Sequence, residues 1–162
     1  VSHIRDYPKN ILYLSNRGEV EEQLEDLCRK HGFVYKRIGA KDGNPFDNNV
    51  SWETEAWINW ADIVVTIGRG VYQAMACGRA VLVYDYLGSD GFVGGNFYDI
   101  RKSNCSGRTQ AIEFPNTIYL KEYIEAQYDK DRVNNNYLWA CKSCDIVEKA
   151  NEYLKIYADR TT

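Results

Sequence analysis

A glycine turn between two apolar segments is the part of this sequence best suited to chemistry. Gly68 and Gly70 follow the apolar run 63–65, which predicts a buried strand. The small residues 73–77 predict a short helix, and a second buried strand begins at Ala80. A strand, a glycine turn and a helix together present backbone N–H groups to an anion, typically a phosphate. The turn therefore predicts a nucleotide-binding site in an α/β domain.

The groups in and near this turn have complementary chemistry. The backbone N–H groups of Gly70 and Val71 would contact a diphosphate. Arg69 or Arg17 would supply positive charge, and Gln73, in the first turn of the predicted helix, could hydrogen-bond a sugar hydroxyl. An ordinary tight turn is the alternative, because Gln73 stands where a dinucleotide fingerprint has its third glycine and no Walker lysine follows.

Strands and helices alternate around this turn. Apolar runs predict strands over residues 11–14, 33–38, 63–65 and 80–84. Helical spacing and capping residues predict helices over residues 19–31, 52–61, 73–77, 120–128 and 131 to about 158. This alternation predicts an α/β fold, a Rossmann-like three-layer sandwich whose parallel sheet has helices on both faces.

Polar segments follow every predicted strand. They are residues 16–18, Gly39 and its loop, the glycine turn 68–70, and residues 88–91. In a parallel sheet these strand ends share one edge, and ligands bind at that edge. The last segment opens a loop over residues 88–115, and loops of that length in a compact domain are often functional. Asp90 and Gly91, in this loop, therefore join Gly39 and the glycine turn in the predicted site.

Composition excludes several classes of protein. The length of 162 residues is that of one domain, and the apolar content of 44% and charged content of 27% are those of a globular protein. The net charge of −3 argues against a nucleic-acid partner. No apolar segment approaches the roughly 18 residues of a membrane span, which leaves peripheral membrane contact open. Five scattered cysteines, an odd number, favour a reducing compartment such as the cytoplasm.

Cysteine and histidine patterns do not predict a metal site. Cys141 and Cys144 form a C-x-x-C pair on a predicted helix, without the second pair that a zinc site needs. A redox motif would start a helix directly after a strand, so two half-buried thiols are the simpler interpretation. His3 lies near the beginning of the sequence and His31 ends a surface helix. Neither has the surroundings of a general base or a zinc ligand.

Residues 61–85 resemble the nucleotide-binding core of GT-B glycosyltransferases of the family-4 type. In that family an acidic-aromatic turn, E-G-F-G, leads into L-E-A-M-A-x-G-x-P-V-V. The run Ala74-Met75-Ala76, together with Gly78 and Val81, matches this pattern. The segment ILYLSNRG resembles the strand that opens the family's C-terminal domain, and the resemblance spans about residues 10–110.

The resemblance implies a domain organisation and a reaction. Residues 1–162 would be a single Rossmann-like domain, the C-terminal, donor-binding half of a GT-B enzyme. About residues 10–115 would form the nucleotide-binding core and about residues 116–162 the C-terminal helices, with an acceptor domain upstream. The implied reaction is metal-independent transfer of a hexosyl group from a nucleotide diphosphate-sugar. That donor is a substrate, and no cofactor is implied.

The family's functional residues have counterparts at matching positions of this chain. Gly68 and Gly70 would contact the diphosphate, and Gln73 would contact the ribose hydroxyls. Arg17 would approach the phosphates or the leaving group as the catalytic residue. Gly39 and the loop that follows it would border the base.

Two positions differ from the family and support a second hypothesis. Gln73 stands where the family has the second glutamate of a conserved pair in its motif, and Val65 stands at the first. An amide still hydrogen-bonds hydroxyls but lacks the charge of a carboxylate, and the donor-sugar contact would move elsewhere, for example to Asp90. The second hypothesis is a non-catalytic Rossmann-like module that binds a nucleotide or a partner protein. A phospho-receiver domain fits poorly, because Ser15 and Asn16 occupy the position of its paired acids.

Overall fold

A computed structural model describes residues 4–41, 44, 47–144, 147, 150, 151 and 155. The strands are β1 (Asn10–Leu14), β2 (Val34–Ile38), β3 (Ile63–Thr66), β4 (Ala80–Asp85) and β5 (Gly88–Phe92). The α-helices are α1 (Glu21–His31), α2 (Thr54–Trp60), α3 (Arg69–Ala76), α4 (Phe97–Ile100), α5 (Thr117–Gln127) and α6 (Lys130–Ser143). A 3-10 helix over Arg101–Ser103 follows α4 directly.

The strands form one sheet in the order β2-β1-β3-β4-β5, in which the first four strands run parallel. Leu14 of β1 pairs in register with Thr66 of β3, and Thr66 pairs with Val83 of β4. The carboxyl ends of these strands therefore lie side by side at one edge of the sheet. The predicted Rossmann-like α/β fold is confirmed.

Each face of the sheet carries its own hydrophobic core, because successive strand residues point to opposite faces. Ile11 and Tyr13 of β1 pack with Leu24 of α1 and Leu120 of α5, on one face. Leu12, between them, packs on the other face with residues of α2, α3 and α6. Helices thus cover both faces, which gives the three layers that alternating strands and helices predict.

The predicted loop over residues 88–115 is wrong at its start, where the chain forms β5. This strand turns back on β4 and pairs with it antiparallel, so the sheet is not parallel throughout. Residues of low β-propensity, including Gly88 and Gly91, conceal the strand in the sequence. Pairing across the tight turn, not local propensity, makes the segment extended.

The helices also differ from their predicted bounds. The third helix begins at Arg69 instead of residue 73, so Gly68 is its N-cap and Gly70 lies in its first turn. The last helix is observed to Ser143, and most of its predicted continuation to residue 158 lies outside the described residues. Cys141 and Cys144 are exposed, not half-buried. None of the helices in the described part of the chain is long and apolar enough to cross a membrane.

Candidate functional site

A cleft of about 450 Å³ lies at the carboxyl ends of β1, β2 and β3. The chain leaves β1 for β2 on one side and later places β3 on the other side, so the strand order reverses at this point. Open α/β sheets bind their ligands at such a reversal. The lining residues are Leu14, Ser15, Asn16, Arg17, Ile38, Gly39, Ala40, Val50, Ser51, Thr54, Thr66, Ile67, Arg69, Gly70 and Gln73.

Five of the nine residues that the sequence predicts for the site line this cleft, namely Arg17, Gly39, Arg69, Gly70 and Gln73. They come from three separate strand ends that the sheet brings together. The site residues named from the sequence leave out other lining residues, among them Ser51 and Thr54 at the start of α2.

The turn after β1 presents Arg17 at the rim of the cleft. The Ser15 N–H donates to the Ile38 carbonyl oxygen at 3.0 Å, which joins this turn to the end of β2. The Arg17 N–H donates in turn to the Ser15 hydroxyl at 3.0 Å. The exposed guanidinium of Arg17 lies 5.5 Å from the centre of the Tyr86 ring, which is itself half exposed. These two hydrogen bonds thus fix the backbone at Arg17, while the charged end of its side chain remains accessible.

Two glycines allow α3 to begin directly at the end of β3. Gly68 has φ of +59° and ψ of −128°, a conformation that side chains disfavour. At Gly70 a Cβ atom would lie 2.2 Å from the Thr66 hydroxyl oxygen, so only glycine lets the helix approach the strand this closely. The glycine turn is therefore more than an ordinary tight turn: it brings the start of α3 to the cleft.

The Val71 N–H, predicted to contact a phosphate, already has an acceptor within the protein. It donates to the Gly68 carbonyl oxygen at 3.2 Å, and the Val71 side chain is completely buried. Because α3 begins earlier than predicted, the N–H groups that lack an intrahelical acceptor at the cleft are those of Arg69 and Gly70. The side chains of Arg69 and Gln73, one helical turn apart, are both exposed beside them.

The charge of the cleft is opposite in sign to that of the whole chain. Two arginines, Arg17 and Arg69, line it, and no carboxylate is among its described lining residues. The chain as a whole carries a net charge of −3. A concave site with one sign of charge concentrates ligands of the other sign, so this cleft favours an anion.

The loop after β2 is held beside the cleft by Asp47. Its carboxylate accepts hydrogen bonds from the Lys41 N–H at 2.8 Å and the Asn49 N–H at 2.9 Å. The buried guanidinium of Arg37 lies 3.1 Å from the same carboxylate. The Asn49 N–H first, then the Lys41 N–H and Arg37, hold the pKa of Asp47 below its ordinary value. Since Asn49 also accepts a hydrogen bond from the Gly39 N–H at 3.0 Å, Asp47 organises the β2 side of the cleft.

Asp47→Asn is expected to lower thermal stability at neutral pH, because the amide lacks the charge that Arg37 and the loop N–H groups stabilise. A lowered pKa in the folded protein means that ionised Asp47 contributes stability above the ordinary carboxyl pKa of about 3.9. That contribution is lost as the pH falls towards the folded-state pKa. Melting temperatures from pH 3 to pH 7 should therefore show a deficit at neutral pH that shrinks in acid.

The matched control is Asp99→Asn, whose exposed carboxylate pairs with Lys102 at 2.9 Å on the surface. This variant should melt like the wild type throughout the pH range. A deficit for Asp47→Asn that is equally large at pH 3 and pH 7 would mean that shape, not charge, is what Asp47 supplies.

The structure places Asp90 and Gly91 on β5, outside the cleft. The Asp90 carboxylate is completely buried and accepts hydrogen bonds from the N–H groups of Gly107 (3.0 Å), Thr109 (2.7 Å) and Gln110 (2.8 Å). At Gly91 a Cβ atom would lie 2.2 Å from a tyrosine hydroxyl of α5, which explains the glycine by packing. Asp90 therefore orders a loop, and the predicted ligand contact of both residues is not supported.

A different carboxylate, Asp85 at the end of β4, has the features expected of a functional group. It is 1% exposed, and its Oδ1 accepts a hydrogen bond from the Tyr86 N–H at 2.8 Å. Its Oδ2 is buried without a hydrogen-bond partner among the described residues. Burial raises the pKa of Asp85. The signal in the sequence is an acidic residue at the end of a buried strand.

Within the residues that the structure describes, no group of three or more His, Cys, Asp or Glu side chains could hold a metal ion. The comparisons with known proteins add no relative: no protein-family model, no curated protein and no solved structure matches this chain.

Proposed function

We propose that this chain is the donor-binding half of a GT-B glycosyltransferase, which binds a nucleotide diphosphate-sugar in the cleft. The observation that carries the proposal is the meeting of two arginines and the start of α3 at the point where the strand order reverses. This is the arrangement that a diphosphate requires: charge, backbone donors and a concave site. A second domain of the same polypeptide would bind the acceptor and supply the catalytic base.

The cleft offers each part of a nucleoside diphosphate a suitable surface. Arg17, Arg69 and the first N–H groups of α3 would bind the phosphate oxygens. The exposed amide of Gln73 would hydrogen-bond the ribose, one helical turn further along. The nucleobase would lie on the β2 side of the cleft, where Ile38, Gly39 and Val50 form the cleft wall. A volume of about 450 Å³ is within the range of small-molecule sites.

The proposed chemistry is the departure of the nucleoside diphosphate from the anomeric carbon. The bond from that carbon to the diphosphate oxygen breaks while a bond to the acceptor oxygen forms, and the acceptor's proton would pass to the catalytic base of the second domain. Negative charge accumulates on the departing nucleoside diphosphate. Arg17 and Arg69 would stabilise this charge electrostatically, without a proton transfer, which is the largest single contribution in many enzymes.

A second candidate function is a nucleotide-binding module without transferase activity. Val65, which stands at the first acidic position of the resembled motif, is completely buried in the core of the α1 face. It has no access to a ligand and would make no donor contact. Relative affinities separate the candidates: a donor site should prefer UDP over UMP and UTP, whereas a general module should bind all three comparably.

Calorimetric titration with UDP, GDP and dTDP tests the proposal directly. We expect one of the three to bind with a dissociation constant between about 1 μM and 1 mM, the range of ordinary substrate sites. Since the ligand is anionic, its affinity should fall as salt rises from 50 to 300 mM. No measurable binding of any of the three at millimolar concentration would overturn the proposal.

A further inference from the structure

We infer that Asp85 binds a hydroxyl group of the sugar part of the donor, an inference that rests on the proposed function. Its Oδ1 is occupied by the Tyr86 N–H at 2.8 Å, but its Oδ2 has no partner among the described residues. A buried acceptor without a donor destabilises a fold, and native proteins rarely keep one without a reason. Binding of a ligand hydroxyl would supply the missing donor.

Asp85 lies at the same edge of the sheet as the cleft. Thr66, the last residue of β3, pairs with Val83 of β4, and Asp85 is two positions further along β4. It therefore extends roughly 6–7 Å beyond the level at which β3 ends, given the rise per residue of a strand. The neighbouring Tyr86 ring lies against Arg17, which lines the cleft. A ligand whose phosphates contact Arg17 can thus place its next group beside Asp85.

A second buried oxygen near Asp85 defines the chemistry of the ligand. The Tyr13 hydroxyl is buried and also lacks a hydrogen-bond partner among the described residues. Burial chiefly raises the pKa of Tyr13 to about 12; the neighbouring Ser15 hydroxyl lowers this pKa and the Asp85 carboxylate raises it, so the Tyr13 hydroxyl stays protonated at neutral pH. A carboxylate oxygen accepts hydrogen bonds and a phenol donates one, and the hydroxyl groups of a sugar can satisfy both. A phosphate has no donor to offer the Asp85 oxygen, which leaves a polyol as the fitting ligand.

Access to Asp85 depends on the pair formed by Arg17 and Tyr86. Both side chains are exposed, and their separation of 5.5 Å is that of a surface cation–π contact. Contacts of this kind are weak at exposed sites, so they yield easily to a stronger partner. When a diphosphate draws Arg17 away, we expect the half-exposed Tyr86 side chain to turn away from the end of β4, which would open a path to Asp85. Phosphate binding would thus prepare the sugar subsite.

The test compares donors with their bare nucleotides. Dissociation constants of UDP and UDP-glucose, GDP and GDP-mannose, and dTDP and dTDP-glucose are measured by calorimetry for the wild type and for Asp85→Asn. For the pair that binds, the variant should lose about tenfold in affinity for the nucleotide-sugar and keep its affinity for the nucleotide within about twofold. Tyr13→Phe should give a smaller loss with the same selectivity.

Both variants should fold, because each alters an oxygen that has no partner in the described structure. Asp99→Asn, which changes an exposed carboxylate, is the control and should change neither affinity. The Asp85→Asn variant and the wild type could bind the nucleotide with equal affinity and gain the same affinity from the sugar. That result would overturn this inference but not the proposed function. Absence of nucleotide binding in the wild type would overturn the proposed function, and this inference with it.

Discussion

Replacement of both cleft arginines, Arg17→Ala with Arg69→Ala, should weaken nucleoside diphosphate binding by at least about 100-fold. Each guanidinium can make charge-assisted hydrogen bonds worth about 1.5–3 kcal/mol, and together two such losses exceed the free energy of a 100-fold change. Either single substitution should cost about tenfold. Both side chains are exposed at the cleft, so neither substitution removes core packing. Calorimetric titration with the best of the three nucleotides measures the loss.

The matched control for the arginines is Arg101→Ala. Arg101 lies 5.2 Å from the ring of Tyr98, a surface contact of the same kind as that between Arg17 and Tyr86, but away from the cleft. This control should leave the affinity unchanged. The salt dependence should also flatten in the double variant, because the screened charges are gone. Loss of affinity in the control as large as in the double variant would show that the phosphates bind elsewhere.

Gly39→Ala should destabilise the fold by more than about 4 kcal/mol, one of the largest effects expected of a point substitution. A Cβ atom at this position would lie 2.1 Å from the Ser15 carbonyl oxygen, a backbone atom that cannot rotate away. The φ of +136° adds strain for any residue with a side chain. Since domains are stable by only about 5–15 kcal/mol, the variant should be largely unfolded or displaced at the cleft. Urea denaturation followed by circular dichroism measures the change.

Gly32→Ala separates backbone strain from the clash. Gly32 ends α1 with φ of +78°, and a Cβ atom there would meet nothing within 4 Å. We expect this control to cost only about 1 kcal/mol, the ordinary penalty for a side chain in the left-handed region. If the two variants lose the same stability, the close approach of β1 and β2 at Gly39 is not what fixes the cleft.

The sequence predicts those elements of the fold whose local hydrophobic pattern matches their burial in the folded protein. The runs that form β1, β3 and β4 are apolar because each strand is covered on both faces, so their burial is readable from composition alone. The turn at Gly68 and Gly70 can be predicted for a related reason, because glycines that lie between two buried strands have few roles other than a turn. The site residues that follow directly from these features, Arg69, Gly70 and Gln73, all line the cleft.

What the sequence does not predict depends on tertiary contacts. The start of α3 depends on the contact of Gly70 with Thr66, which no local pattern contains. The environments of two carboxylates, Asp90 and Asp85, depend on tertiary contacts in the same way. Asp90 stands in a glycine-rich segment that looks exposed, yet three N–H groups satisfy it in the interior. Asp85 looks like the end of a strand, and only the packed structure shows an unpartnered oxygen there.

The hydrogen bonds behind the glycine turn bear on the thermodynamics of binding. The Gly68 N–H donates to the Cys105 carbonyl oxygen at 3.1 Å, and Asp90 holds the adjoining segment through the N–H of Gly107 at 3.0 Å. The turn is therefore ordered before any ligand arrives. Ordering of a loop is one of the larger entropic costs of association, and a preorganised binding site avoids this cost. Affinity at this cleft should consequently follow the quality of the ligand's contacts, with little lost to rearrangement of the protein.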